Sequence, residues 1–349
     1  MRIVRASAPA RAALAGNPSD GYGGAVLAVA VANYSCEAVV RESSELEIVP
    51  APQDQVRFAS VAALADDVRA NGYYGGVRLI KASIKRLHEH CLARGRGIAD
   101  RTFAVRYRTT IPRGVGLGGS SAIVTATLRA LSEFLELELT PDELARLALS
   151  VETVELGIAA GLQDRVAQAY GGLVFMDFGL DAEDGTAAGG TAVSGRRESG
   201  AALDYERLDP SGLPPLWIAH RAEAAEPSEV FHSDLRVRFQ AGDTAVVEAM
   251  QRLGSLARRA REAVGAADAE LLGRSMMATF EARTAIAELD PRHVAMIELA
   301  RRHAAPANYA GSGGAVVGLH RDDEHLAALR GAFAEAGCSL SAVEIAAVG

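Results

Sequence analysis

Apolar and polar residues alternate along the chain with two distinct periods. Residues 24–41, GAVLAVAVANYSCEAVVR, are rich in valine and alanine and follow a glycine-rich turn, which predicts one or two strands. Val77, Ile80, Ile84, Leu87, Cys91 and Leu92 recur at helical spacing, so a helix follows the Tyr73-Tyr74-Gly75-Gly76 turn over 77–93. Phe103, Val105 and Tyr107 alternate with Ala104, Arg106 and Arg108, a half-exposed strand that ends at Pro112. A helix from about Ser120 to Glu136 presents Ile123, Ala126, Ala130, Leu131 and Phe134 on one face. Thr140-Pro141-Asp142-Glu143 then opens a second helix. Thr140 is its N-cap, Pro141 suits the first helical position and Glu143 closes a capping box. Asp164 follows a Gly161 turn near the start of a further helix. Residues Asp181 to Ala202 lack periodicity and read as a loop or insertion. Helices are expected from about Thr244 to Ala267 and from Asp268 to Glu288. Asn308 to Leu319 and Ser339 to Val348 alternate turn and strand signals.

Composition narrows the class. A chain of 349 residues, 49% of them hydrophobic, can bury a full core, and its length suggests two domains. With 23% charged residues and a mean hydropathy of +0.09 it reads as an ordinary globular protein. The formal net charge is −8 with no long basic block, so no nucleic-acid partner is expected. No apolar run approaches the roughly 18 residues of a membrane span. Cys36, Cys91 and Cys338 have no CxxC spacing and are expected to be reduced structural thiols, which suits a cytoplasmic setting. The first twenty residues are basic, but Arg and Pro interrupt every candidate apolar core of a secretory signal, so they are expected to belong to the folded protein. A monomer or homodimer is expected.

Three segments carry chemistry. Pro112-Arg113-Gly114-Val115-Gly116-Leu117-Gly118-Gly119-Ser120-Ser121-Ala122 lies between a strand and a helix. Glycines let several backbone N–H groups converge on a phosphate, and the following helix aims its positive end at the same place. A dinucleotide-binding unit would need a strand after that helix, whereas Thr140 starts another helix. A Walker A loop would need lysine where Gly119 stands. A glycine-rich turn with no ligand would look the same in isolation. The second segment, Ala8 to Gly24, contains Asn-Pro-Ser-Asp-Gly, by itself an ordinary tight turn. The third, Glu152 to Gly172, places Glu152 and Glu155 on a helix and Asp164 at the start of the next. Alone, these could be a solvated face and a first-turn charge.

In combination the segments resemble the GHMP kinases. APARAALAGNPSDGYGG is similar to the first motif of that superfamily, PRGVGLGGSSA to the second, phosphate-binding motif, and Asn308 to Ala315 to the third, a C-terminal glycine loop. Within the superfamily the resemblance is to glucuronokinases and, more distantly, to heptose and fucose kinases. It rests on GNPSD, GYYGGVRL, PRGVGLGGSSAIV, AGLQDRVAQAYGGLVFMDF, YERLDPSGLPPL and AGSGGAVV, which cover most of the chain. One departure is Asn308-Tyr309-Ala310-Gly311, where relatives have Lys-x-Thr-Gly.

The resemblance implies an α+β protein of two domains, residues 1–204 resembling the second domain of ribosomal protein S5 and residues 205–349 a ferredoxin-like layer. It implies ATP and Mg²⁺, with in-line phosphoryl transfer to a sugar hydroxyl. Pro112, Gly114, Gly116, Leu117, Gly118, Gly119, Ser120, Ser121 and Ala122 would hold the phosphates, and Ser120, Ser121 and Glu152 the metal. Asp164 would accept or orient the hydroxyl proton, with Arg11 neutralising charge. Asp20, Asn17, Ser19 and Arg165 would meet the sugar, and Gly311, Ser312, Gly313 and Gly314 would approach the phosphate–sugar junction. The implied acceptor is D-glucuronate. Another hexose, a heptose or a cyclitol is the alternative, as is a non-catalytic sugar and ATP sensor. A buried uronate needs a cation, for which Arg11, Arg165, Arg236 and Arg238 are candidates.

Overall fold

The computed structural model describes residues 1–51, 54, 58–71, 75–179, 204–221 and 235–347. Its frame is a long antiparallel ribbon of β1 (Ile3–Ala15) and β2 (Ala25–Glu42), the latter one continuous strand. Pro9 cannot donate to a ladder, and the register shifts between Pro9 and Ala10. The free edge of β2 divides between two partners. Ala25 to Val29 pair with β5 (Leu173–Asp177), and Cys36 to Glu42 pair with β4 (Phe103–Thr109). Outside these lie β3 (Glu47–Val49), parallel to β4, and β6 (Asp204–Leu208), antiparallel to β5.

Alanine dominates the ribbon because both faces are covered. Ala8, Ala10, Ala12, Ala28 and Ala30 are fully buried, and small side chains let helices approach the sheet closely. Chain order then gives α1 (Val61–Asn71), α2 (Gly76–Ala93), α3 (Gly119–Phe134), α4 (Pro141–Ser150) and α5 (Gln163–Tyr170). Helix α3 packs on β1 and β2. Both arms of the expected capping box are present at α4: the Glu143 amide donates to Thr140 Oγ1 at 3.2 Å, and the Thr140 amide to Glu143 Oε2 at 2.9 Å. A π-helical turn, Val151–Glu155, follows α4 directly.

The second layer starts at β7 (Leu216–Arg221). A helix that includes residues 235–240 (α6) is followed by α7 (Thr244–Gly265), α8 (Ala269–Thr284), α9 (Pro291–Arg302), β8 (Ala307–Tyr309), β9 (Ala315–Leu319), α10 (Asp323–Glu335) and β10 (Cys338–Ala342). The sheet order β10-β7-β9-β8, antiparallel throughout, is the ferredoxin-like arrangement expected for the C-terminal part. The layers are joined, because α7 also packs on β1 and β2. Beyond β10, the Ala346 amide donates to the Ala30 carbonyl at 2.9 Å and the Gly172 amide to the Ala346 carbonyl at 3.0 Å.

Strand β6 belongs to the first sheet and β7 to the second, so the change of sheet falls after Leu208, later than residue 204. The Asp181–Ala202 stretch lies outside the described residues. The basic N-terminal segment is built into β1 from Ile3 onward. All three cysteines are buried free thiols. Among the described residues no helix is long and apolar enough to cross a membrane.

Candidate active site

The site forms where the three glycine-bearing segments meet. Arg11 lies on β1, which pairs only with β2 but is covered by helices and by the third segment, and is almost wholly buried. Its Nε donates to Asp164 Oδ1 at 2.6 Å, while Nη1 donates to the carbonyls of Gly116 at 2.8 Å and Ala310 at 2.7 Å. One planar guanidinium thus links the first, second and third segments to Asp164, a geometry that lysine could not reproduce. The backbone reinforces the junction. The amide of Arg11 donates to Leu117 O at 3.1 Å and that of Ala13 to Ala310 O at 2.8 Å.

The glycine loop approaches the third segment so closely that side chains are excluded. Gly116 has φ +72°, and a Cβ there would fall 2.8 Å from the Gly313 carbonyl oxygen. A Cβ on Gly311 would collide with the Gly116 carbonyl and lie 2.6 Å from Arg11 Nη1. The loop ends at Gly118, the N-cap of α3. The first-turn amides of Gly119, Ser120 and Ser121 therefore have no intrahelical acceptor, which is the geometry that can receive an anion. Ala122 is different: its amide donates to Gly118 O at 3.0 Å, so it belongs to the helix interior. Leu117 is also structural, its side chain buried and its carbonyl taken by Arg11. Pro112, Gly114 and Gly119 shape the loop around these groups.

The two serines diverge. Ser120 Oγ donates to Glu152 Oε1 at 2.9 Å, whereas Ser121 Oγ turns back to Gly118 O at 2.9 Å. Glu152, 1% exposed, is presented by the π-turn. Its other oxygen receives Arg165, from Nε at 2.8 Å and from Nη2. Arg165 also donates to Gly161 O at 2.9 Å. The guanidinium expected at the substrate instead balances a buried carboxylate. Glu155 lies apart, on Lys85 at 2.5 Å. The donor set fits a magnesium ion, which takes one or two carboxylates and completes its shell with phosphate and water oxygens. Glu152 Oε1 and the Ser120 hydroxyl are adjacent oxygens, with charge on one of them.

Beside this lies a carboxylate-rich corner. Asp20 sits in the short 3₁₀ turn Ser19–Tyr22 and accepts the Gln163 amide at 3.4 Å. Its carboxylate rests against Gly161, where a Cβ would collide with it. Burial, with the charge of Asp164 adding to it, pushes the Asp20 carboxyl up to about 6 against the pull of Arg11, the Gln163 amide and Arg165. Asn17 is buried in an amide chain: its Nδ2 donates to Gln163 Oε1 at 2.7 Å, and its Oδ1 accepts from Arg283 Nη1 at 2.9 Å. Ser19 does not face the corner. It is fully buried, its hydroxyl donates to Ala25 O at 2.8 Å, and a role in sugar contact is replaced by one in closing the turn.

Three residues that sequence reasoning passed over hold this arrangement. Gln168 donates to Gly118 O at 2.8 Å from within α5. Arg283, on α8 and wholly buried, donates to Gly311 O at 2.6 Å and Ser312 O at 3.2 Å as well as to Asn17. Burial lowers its guanidinium to about 10. Gln163 opens α5. Nothing in the local pattern marks Arg283, since an arginine on an amphipathic helix is ordinarily solvated. Asn308, which stands in place of the lysine of the third motif, is buried between strands with Nδ2 donating to Leu14 O at 3.3 Å. Of the other arginines, Arg238 donates to Asp243 at 3.0 Å and to Ile286 O at 2.7 Å. Among the described residues no ion pair involves half-buried Arg236. It shares α6 with Phe239, whose ring stands 4.8 Å from that of Tyr22 at the end of the Asp20 turn.

Residues 78–172 match the family described as GHMP kinases N terminal domain, and curated relatives align along most of the chain. The chain belongs to the GHMP kinase family. Within it, the chain is similar to two Arabidopsis thaliana proteins, glucuronokinase 1 (36% identical over 318 residues) and probable glucuronokinase 2 (37% over 319). Each alignment covers 88% of this chain and 82% of the relative. In fold it is similar to a galactokinase from Lactococcus lactis, with a TM-score of 0.74 over 99% of this chain and 94% of that chain at 15% identity.

Proposed function

We propose that the protein transfers the γ-phosphoryl group of ATP to the anomeric hydroxyl of D-glucuronate, giving D-glucuronate 1-phosphate. The observation that carries this reading is the convergence of all three glycine-bearing segments on Arg11 and Asp164. The identity with glucuronokinases over most of the chain supports the choice of sugar acid. The amides of Gly119, Ser120 and Ser121 hold the ATP phosphates, because the helix terminus presents N–H groups and positive potential together. Glu152 and Ser120 are the residues that would hold Mg²⁺, whose chemistry is to neutralise charge on the β- and γ-phosphate oxygens. Asp164 accepts the hydrogen bond of the attacking hydroxyl, and Arg11 fixes that carboxylate in position. Asp20 orients other hydroxyls of the acceptor. Arg236, on the helix whose Phe239 packs against Tyr22 of the Asp20 turn, is the arginine we assign to the carboxylate of the uronate. Arg11, Arg165 and Arg238 are withdrawn from that role because their guanidinium groups are committed elsewhere. We place the domain boundary between Leu208 and Leu216, where the chain changes sheet.

The test is ADP release across D-glucuronate, D-glucose, a heptose and a cyclitol, with the phosphorylated position read by ³¹P NMR. Turnover is expected with glucuronate, with the phosphate on carbon 1. Turnover of a neutral cyclitol alone would replace the proposed acceptor, and none with any sugar would favour a sensor.

A further inference from the structure

One buried polar atom in the acceptor corner is unaccounted for. Gln163 is 1% exposed, and its side-chain nitrogen Nε2 has no hydrogen-bond partner among the described residues. The orientation of this amide is dictated by its neighbours. Arg283 carries donors only, so the Asn17 atom that receives its Nη1 at 2.9 Å is Oδ1. Asn17 must then present Nδ2 to Gln163, and the Gln163 atom that accepts it at 2.7 Å is Oε1. The edge left over is an NH₂ group, a donor of up to two hydrogen bonds. The backbone N–H of the same residue faces Asp20 Oδ2 at 3.4 Å, and the next residue is Asp164. Native interiors leave few buried donors unmade, because the desolvation cost is not recovered.

We infer that Gln163 is a specificity-determining residue of the acceptor site, its side-chain amide donating to the oxygen of a substrate hydroxyl. The inference rests on the reading of this corner as the place where the sugar acid binds. A hydroxyl suits the surroundings better than a carboxylate does. It can accept from Gln163 and donate to an adjacent carboxylate at once, whereas a substrate carboxylate would meet Asp20 and Asp164 as like charges. Arg283 is the positioning residue: through Asn17 it fixes which end of the amide faces the substrate.

Gln163→Glu keeps the acceptor that Asn17 needs and replaces the spare donor by an acceptor. The KM for the sugar acid is expected to rise at least about 10-fold, with kcat and the KM for ATP within about twofold. Asn17→Asp reaches the same end without touching Gln163. The carboxylate it introduces still accepts from Arg283 but cannot donate, so the Gln163 amide rotates and turns its oxygen toward the substrate; the same rise in KM is expected. Monodeoxy analogues supply a measurement that does not depend on one variant folding. One of them should lose affinity for the wild type by calorimetry and lose nothing further with Gln163→Leu. Unchanged acceptor KM in both variants, or equal losses for every analogue in wild type and Gln163→Leu, overturns the inference. So does a change confined to the melting temperature, since the amide then serves an internal water. Absence of turnover with every sugar would instead defeat the functional reading.

Discussion

Asp164 has Arg11 on one oxygen at 2.6 Å and Arg165 3.7 Å from the other. Asp164→Asn keeps the shape and removes the charge, so the variant should fold and bind ATP while kcat falls roughly 10²–10⁴-fold. Near-normal ADP release from a variant with normal nucleotide titration would remove Asp164 from the chemistry. Asp20 supplies a pH signature. Only its ionised form accepts freely from hydroxyls, so the acceptor KM is expected to rise as pH falls through about 6, with Asp20→Asn flattening the profile. The stability effect has a definite sign. The folded-state pKa lies above the ordinary 3.8, so the contribution of Asp20 to stability is complete below that value and lost as pH rises through about 6. Asp20→Asn should therefore be more stable than wild type near pH 8, by on the order of 1–2 kcal/mol after allowing for partial exposure, with the difference closing near pH 4. Thermal melts at the two pH values check it. Glu152→Gln should shift the Mg²⁺ dependence of activity to higher concentration and also lower the melting temperature, because Arg165 keeps its burial and loses the nearer of its two carboxylates. An unchanged Mg²⁺ midpoint would remove Glu152 as a ligand.

At the scale of elements, the proposed site depends on two loops that approach closely, Gly116 against Gly311 to Gly313. Gly311→Ala puts a methyl group into the Gly116 carbonyl, so the loops must separate and Arg11 must shift. A loss of roughly 1–3 kcal/mol by denaturant titration is expected, with a higher KM for ATP. Gly265→Ala is the control: open space surrounds that helical position, so stability should hold or rise by up to about 1 kcal/mol and the KM for ATP should not change. Local signals predicted α4 well, because a capping box is complete within four residues. The same kind of local signal stands at α9 and α10, where Asp290 precedes Pro291 and Asp322 caps the helix through the His325 amide at 2.8 Å. The π-turn that presents Glu152 left no mark in the hydrophobic pattern, since one inserted residue does not disturb an apolar face already established by α4.

For the molecule as a whole, the choice of a charged acceptor is the quantity to measure. A charge-assisted hydrogen bond contributes about 1.5–3 kcal/mol, or about 10- to 150-fold in kcat/KM. Glucuronate should exceed glucose by at least that factor, and Arg236→Gln should erase most of the difference while leaving glucose turnover unchanged. A preference that survives Arg236→Gln would move the uronate contact to another cation.

The sequence by itself placed the three glycine segments, because glycine-rich turns and helix starts are local events written in consecutive residues. The class of fold and the choice of Arg11, Ser120, Glu152 and Asp164 came from the resemblance of those segments, taken together, to GHMP kinases. The sequence also determined that Asp20 lies in a tight turn. The tertiary structure decided how these residues are used. Ser120 turns to Glu152 and Ser121 does not; Arg165 balances Glu152 rather than waiting for a substrate; Ser19 closes a turn. Arg283, 266 positions after Asn17 and bonded to it, could not be read from any local pattern. The physical reason is the same in each case. A buried polar group must find its partner, and which partner it finds depends on what the fold brings beside it across long separations in sequence.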